Sequence, residues 1–226
     1  MVRFHQGCQK RRVRRLNFVS RGWAQPTLCF NMKKNKIFFL IPGFKEQISD
    51  NQYRWLVNYI KVAGWTVVKV PVVWDYSTVS KNADDFISFF NENKGQENRV
   101  LGFSYGAVIT LLTATRLQPD KVYLCSLSPD FKEDIIFMPP WLKKYIGKRR
   151  LADIATRSGI DLAKKLNVPA IIFYGEAEGC EYPTLKKRCE ETARYAKNSK
   201  LVVVKNASHR INHPQYVEVI KKELSL

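Results

Sequence analysis

The chain has 226 residues, 45% of them apolar and 26% charged, with a formal net charge of +18. That length suits one sizeable core rather than two, and no apolar run approaches the ~20 residues of a membrane-spanning helix. Five cysteines (Cys8, Cys29, Cys125, Cys180 and Cys189) form an odd set with no C-x-x-C pair, which argues against a disulfide scaffold or zinc site and fits a reducing, cytoplasmic setting.

The charge is uneven. Residues 1–36 hold ten Lys and Arg and no acid, which leaves +8 on the remainder. No apolar stretch follows these charges, so a secretory signal is not expected. Residues 1–31 are read as a basic, disordered extension, and 32–226 as a single domain opening on "KKNKIFFLIPGF". No RNA-recognition, zinc-finger or helix-turn-helix signature is present, so nucleic acid is not an expected partner.

From Lys36 onward, apolar runs alternate with amphipathic stretches. "KIFFLIPGF" reads as a buried strand ended by Pro-Gly. "SDNQYRWLVNYIKVAGW" sets Tyr53, Leu56, Val57 and Ile60 at helical spacing and stops at Gly64. "WTVVKVPVVW" is a β-branched strand, and "SKNADDFISFFNENKG" a helix with Ala83, Phe86, Ile87 and Phe90 on one face. "NRVLGF" is a strand and "SYGAVITLLTATRLQPD" an apolar helix closed before Pro119.

"KVYLCSLSP" follows as a strand. Residues 129–150, rich in Pro and aromatics, break the rhythm and are expected to form a small cap. "LADIATRSGIDLAKKL" is helical in parts, "VPAIIFYG" a strand, "YPTLKKRCEETARYAK" a helix, "KLVVVK" a strand and "HPQYVEVIKKEL" a closing helix. About six continuously apolar strands alternating with helices predict an α/β fold, a doubly wound, mostly parallel sheet covered on both faces. In such sheets sites form at the carboxyl ends of the strands.

One strand end carries "GFSYG", a match to G-x-S-x-G. Alone it is a weak signal, and a tight turn would explain it. Its context is a strand before and a helix after, which is where that motif holds a nucleophilic serine on a sharp corner. Gly102 and Gly106 remove side chains where the two backbones crowd around Ser104. A serine needs a base. His5 lies in the basic arm, His209 just past the last strand, and His213 before Pro214, where a surface role suits it better. The base in turn needs an acid, and Glu176, Glu178 and Asp130 all follow strands. The backbone N–H groups of Tyr105 and Phe44 are placed to form an oxyanion hole. Phe44, Tyr105 and Trp141 are expected to line the substrate pocket.

These residues resemble the α/β-hydrolase superfamily over roughly residues 36–226: "IPGF" after the first strand, "GFSYG" at the elbow, "YGEAEG" after the penultimate strand and "NASHRINHPQYV" after the last. The order Ser, acid, His agrees. The resemblance sets Glu178 in the place of the family's acid, usually Asp, with Asp130 as the alternative because some members carry the acid on the earlier strand. It implies a compact six-stranded member that hydrolyses a small ester, thioester or amide through an acyl-enzyme on Ser104, with His209 as general base. No metal or organic cofactor is implied. The alternative is a non-catalytic protein of the same fold that binds or scaffolds a small ligand, an anionic one in view of the +8 body.

Overall fold

Side chains alternate along the first strand, β1 (Lys36–Ile41): Ile37, Phe39 and Ile41 enter one core, Phe38 and Leu40 the other. A strand apolar on both faces must be covered on both. In the computed structural model, which describes residues 35–226, β1 pairs with β2 (Thr66–Lys69) and β3 (Glu97–Phe103). β4 (Lys121–Cys125), β5 (Ala170–Gly175) and β6 (Ser199–Val204) complete one six-stranded sheet in the order β2-β1-β3-β4-β5-β6. Every neighbouring pair is parallel. The basic arm, His5, Cys8 and Cys29 lie outside the described residues.

Helices fill the crossovers. Helices α2 (Val79–Asn93) and α3 (Tyr105–Leu117) cover one face with α6 (Gly159–Lys165) and α8 (Pro183–Tyr195). Helices α1 (Arg54–Val62) and α9 (Pro214–Leu224) cover the other. Phe86 and Phe90 of α2 pack their rings on Phe39, at 6.0 and 4.7 Å between centroids. Because all strands run in parallel, the loops after β1, β3, β4, β5 and β6 emerge at one edge of the sheet.

The elements depart from expectation in three places. β2 ends at Lys69 rather than running to Trp74. Val70 still donates to the Leu40 carbonyl at 2.9 Å, but Pro71 has no N–H to continue the ladder. The single stretch "LADIATRSGIDLAKKL" divides between α5 (Lys148–Ala155) and α6, where the Ser158 hydroxyl caps α6 by accepting from Asp161 N–H at 3.1 Å. A short helix, α7 (Glu176–Glu181), begins directly at the end of β5, where a loop was expected.

Residues 129–150 form a 3-10 turn at Ile135–Phe137, helix α4 (Pro140–Ile146) and the start of α5. Their inner anchor is Asp134, whose carboxylate accepts from Arg188 Nη2 at 2.6 Å and Nε at 3.2 Å. The guanidinium of Arg188, 1% exposed, lies 5.2 Å over the Phe131 ring. The outer side of the segment leaves Ile136, Phe137, Trp141 and Tyr145 exposed.

Candidate active site

Ser104 stands between β3 and α3 with φ 53° and ψ −114°. A left-handed backbone at a residue with a Cβ is costly and persists only where its surroundings enforce it. Two glycines do so here. A Cβ on Gly102 would run into the Gly106 carbonyl, and one on Gly106 into the carbonyls of Ile41 and Pro42. The helix start is thereby drawn onto the end of β1. Ser104 N–H donates to the Cys125 carbonyl at 2.8 Å, tying the corner to β4.

The His209–Glu178 pair is built across two further strand ends. A Cβ on Gly175 would meet the Ala207 carbonyl, so the loops after β5 and β6 touch at backbone distance. Glu178 N–H donates to that same carbonyl at 3.1 Å. Glu178, 0% exposed, extends one carboxylate oxygen, Oε1, to His209 Nδ1 in hydrogen-bonded contact. Its other oxygen, Oε2, accepts from Gly175 N–H at 2.8 Å and lies 3.0 Å from both Ser126 Oγ and Tyr216 OH. Those two hydroxyls are 2.8 Å from each other. Two protons serve these three contacts, so one hydroxyl donates to the carboxylate while the other donates either to its neighbour or to the same oxygen. Burial, followed by the Glu178 charge, pushes the Tyr216 phenol far above its ordinary range and keeps it a donor.

His209 packs its ring on Phe103, 5.0 Å between centroids and tilted by 35°, with Tyr182 edge-on at 6.2 Å between centroids. His209 and Ser104 both line a cavity of about 650 Å³. The Ser104 hydroxyl is hydrogen-bonded to Ser128 Oγ at 3.1 Å rather than to the imidazole. Among the described residues, the N–H groups of Phe44 and Tyr105 donate no hydrogen bond. Phe44, Trp74 and Tyr105 form an aromatic wall with centroids 5.2–6.0 Å apart. The Tyr105 phenol accepts from Asn82 Nδ2 at 3.0 Å, and burial pushes its pKa up to about 12. Trp141, 69% exposed, lines the mouth.

The remaining candidates separate. Asp130 lines the cavity but makes no hydrogen bond to His209. Glu176 is exposed and accepts from Asn206 N–H at 3.1 Å, bracing the loop that carries His209. His213 occupies the N-cap position of α9, makes no side-chain capping bond, and does not line the cavity. Ser126, Ser128 and Tyr216 were not singled out by the sequence. Serines after a strand and a tyrosine at a helical core position are ordinary there, and only the fold brings them to Glu178 and Ser104. Among the described residues, no cluster of His, Cys, Asp and Glu could hold a metal ion, and no helix is long and apolar enough to cross a membrane.

Six parallel strands with this helix arrangement and a serine corner after β3 are the α/β-hydrolase fold. Solved structures agree. Est1E from Butyrivibrio proteoclasticus with bound ferulic acid superposes with a TM-score of 0.70 at 14% identity, over 86% of this chain and 88% of that one. The mouse alpha/beta hydrolase domain-containing protein 10 gives 0.66 at 12% identity over 85% and 89%. An esterase of Pyrococcus furiosus gives 0.63 at 15% identity over 85% and 81%. No family model matches the sequence, and no curated protein matches it by sequence.

Proposed function

We propose that the protein is a serine hydrolase that cleaves small carboxylic esters through an acyl-enzyme. The observation that carries this reading is a left-handed Ser104 on the wall of the same apolar cavity as a histidine already held by a buried carboxylate. Ser104 Oγ turns from Ser128 toward His209 Nε2 as substrate enters; apo sites commonly hold such bonds loosely. Oγ attacks the ester carbonyl and its proton passes to Nε2. The resulting oxyanion is received by the Phe44 and Tyr105 N–H groups. The C–O bond to the alcohol breaks, and Nε2 returns the proton to that oxygen. Water then attacks the acyl carbon, giving a proton to Nε2, and the acid leaves as Ser104 recovers it.

Glu178 fixes the imidazole tautomer by accepting from Nδ1–H and stabilises the imidazolium that forms. Its buried hydrogen-bond donors hold it in place. The apolar lining from Phe44, Tyr105, Met138, Trp141 and Leu142 favours a short acyl or aryl group, with residues 129–150 as the cap. On a para-nitrophenyl ester, Ser104→Ala is expected to lower kcat by on the order of 10⁴ to 10⁶. A near wild-type rate in that variant would overturn the assignment.

A further inference from the structure

The cavity is mostly apolar, yet one carboxylate in its wall stands without a partner. Asp134 is paired with Arg188. Asp153 is paired with Arg157. Arg150 directs Nε to the Ser77 carbonyl at 3.0 Å and Nη2 to the Trp74 carbonyl. Glu181 sits at the exposed rim. Among the described residues, the Asp130 carboxyl has neither a hydrogen-bond nor an ion-pair partner.

Its position ties it to the reacting centre. Asp130 N–H donates to the Ser128 carbonyl at 2.9 Å, and Ser128 Oγ lies 3.1 Å from Ser104 Oγ. Asp130 lines the cavity together with Ser104, Tyr105 and Ser128. A carboxylate half-buried in an apolar wall gains from a charged donor, and a partner supplied by the ligand would fill a place that no protein side chain fills.

Resting on the reading of Ser104 as nucleophile, we propose that Asp130 is the specificity-determining residue of this cavity and that the substrate carries a protonated amine which Asp130 receives. The ammonium donates to the Asp130 carboxylate while the ester carbonyl lies at Ser104, so the two groups are joined by a short apolar linker along the cavity wall. Burial, then the charge of Asp134, raises the Asp130 carboxyl to about 6, with Arg157 opposing. Asp130 is therefore mostly ionised at neutral pH and available to a cation. Arg150, the arginine among the described residues that line the cavity, would favour a carboxylate instead.

Calorimetric titration with hexylamine, hexan-1-ol and hexanoate separates these cases and needs no turnover. At about pH 8 the wild-type protein is expected to bind hexylammonium at least about tenfold more tightly than hexanol, with hexanoate weakest. Asp130→Asn and Asp130→Ser are each expected to bring the amine-to-alcohol ratio close to one. The ratio should also shrink in the wild type below about pH 6, where Asp130 takes up a proton while the amine keeps its own. Equal binding of amine and alcohol, tighter binding of hexanoate, or an amine preference that survives both variants would overturn the proposal. Failure of the wild type to hydrolyse any ester would overturn the reading of Ser104 and leave the titration as an independent test of Asp130.

Discussion

Ser104 shows how a local cost marks a site. Its φ of 53° places a side chain where glycine is favoured. Ser104→Gly is expected to relieve the strain and raise stability by about 1 kcal/mol, or about 2–4 °C in Tm for a domain of this size, while abolishing turnover. A lower Tm would mean that the corner is unstrained. Asp130 carries a second cost. Burial raises its pKa to about 6 in the folded chain, above the ordinary carboxylate range of the unfolded one. The folded state then binds the extra proton between those values, so stability falls as pH rises from about 4 to about 6 and stays lowered above it. Asp130→Asn should therefore raise Tm at about pH 8 and change it little at about pH 4. An equal shift at both would assign the effect to packing rather than charge. Glu178→Gln keeps volume but loses the charge opposite His209, and is expected to lower kcat by about four orders of magnitude, with Glu176→Gln mild. A crippled Glu176→Gln beside a normal Glu178→Gln would reverse the assignment.

The strand–turn–helix element around Ser104 was legible because its constraint is compositional: glycine on either side of a serine, between an apolar run and a helix. Gly102→Ala and Gly106→Ala are expected to cost several kcal/mol, because each new methyl meets backbone carbonyls that cannot rotate away. Gly64, at φ 83° with open space around it, should tolerate Ala at about 1 kcal/mol. The short helix α7 was not legible. "EAEGCE" has no apolar periodicity, and Glu178 caps it by accepting the Gly175 N–H with the same carboxylate that holds His209. In the 129–150 segment the sequence displayed the aromatics but not the anchor. The Asp134–Arg188 pair joins residues 54 positions apart and buries both. Asp134→Ala would leave the buried guanidinium only Glu191 at 3.1 Å and Glu133 at 3.9 Å as ion-pair partners, and is expected to destabilise the fold by about 1–3 kcal/mol. Trp141→Ala, at an exposed position, should instead change KM and chain-length preference with Tm nearly constant.

Across the whole molecule, the parallel sheet makes one site from distant segments. Phe44, Ser104, Asp130, Glu178 and His209 each follow a different strand, and five loops meet only because β1, β3, β4, β5 and β6 all end on the same edge. Alternation of apolar runs with helices was enough to foresee that edge. The order of strands within the sheet, and so which serine would touch which carboxylate, depended on pairings that no local pattern encodes. These loops are proposed to assemble an activated nucleophile at Ser104. Intact-mass analysis after treatment with a fluorophosphonate tests it most directly, because the reagent reports the activated serine and needs no knowledge of the substrate. A single adduct per chain is expected, mapped to Ser104 and formed far more slowly in His209→Ala and Glu178→Gln. A folded wild-type protein that takes up no label, or takes it up at another residue, would contradict it.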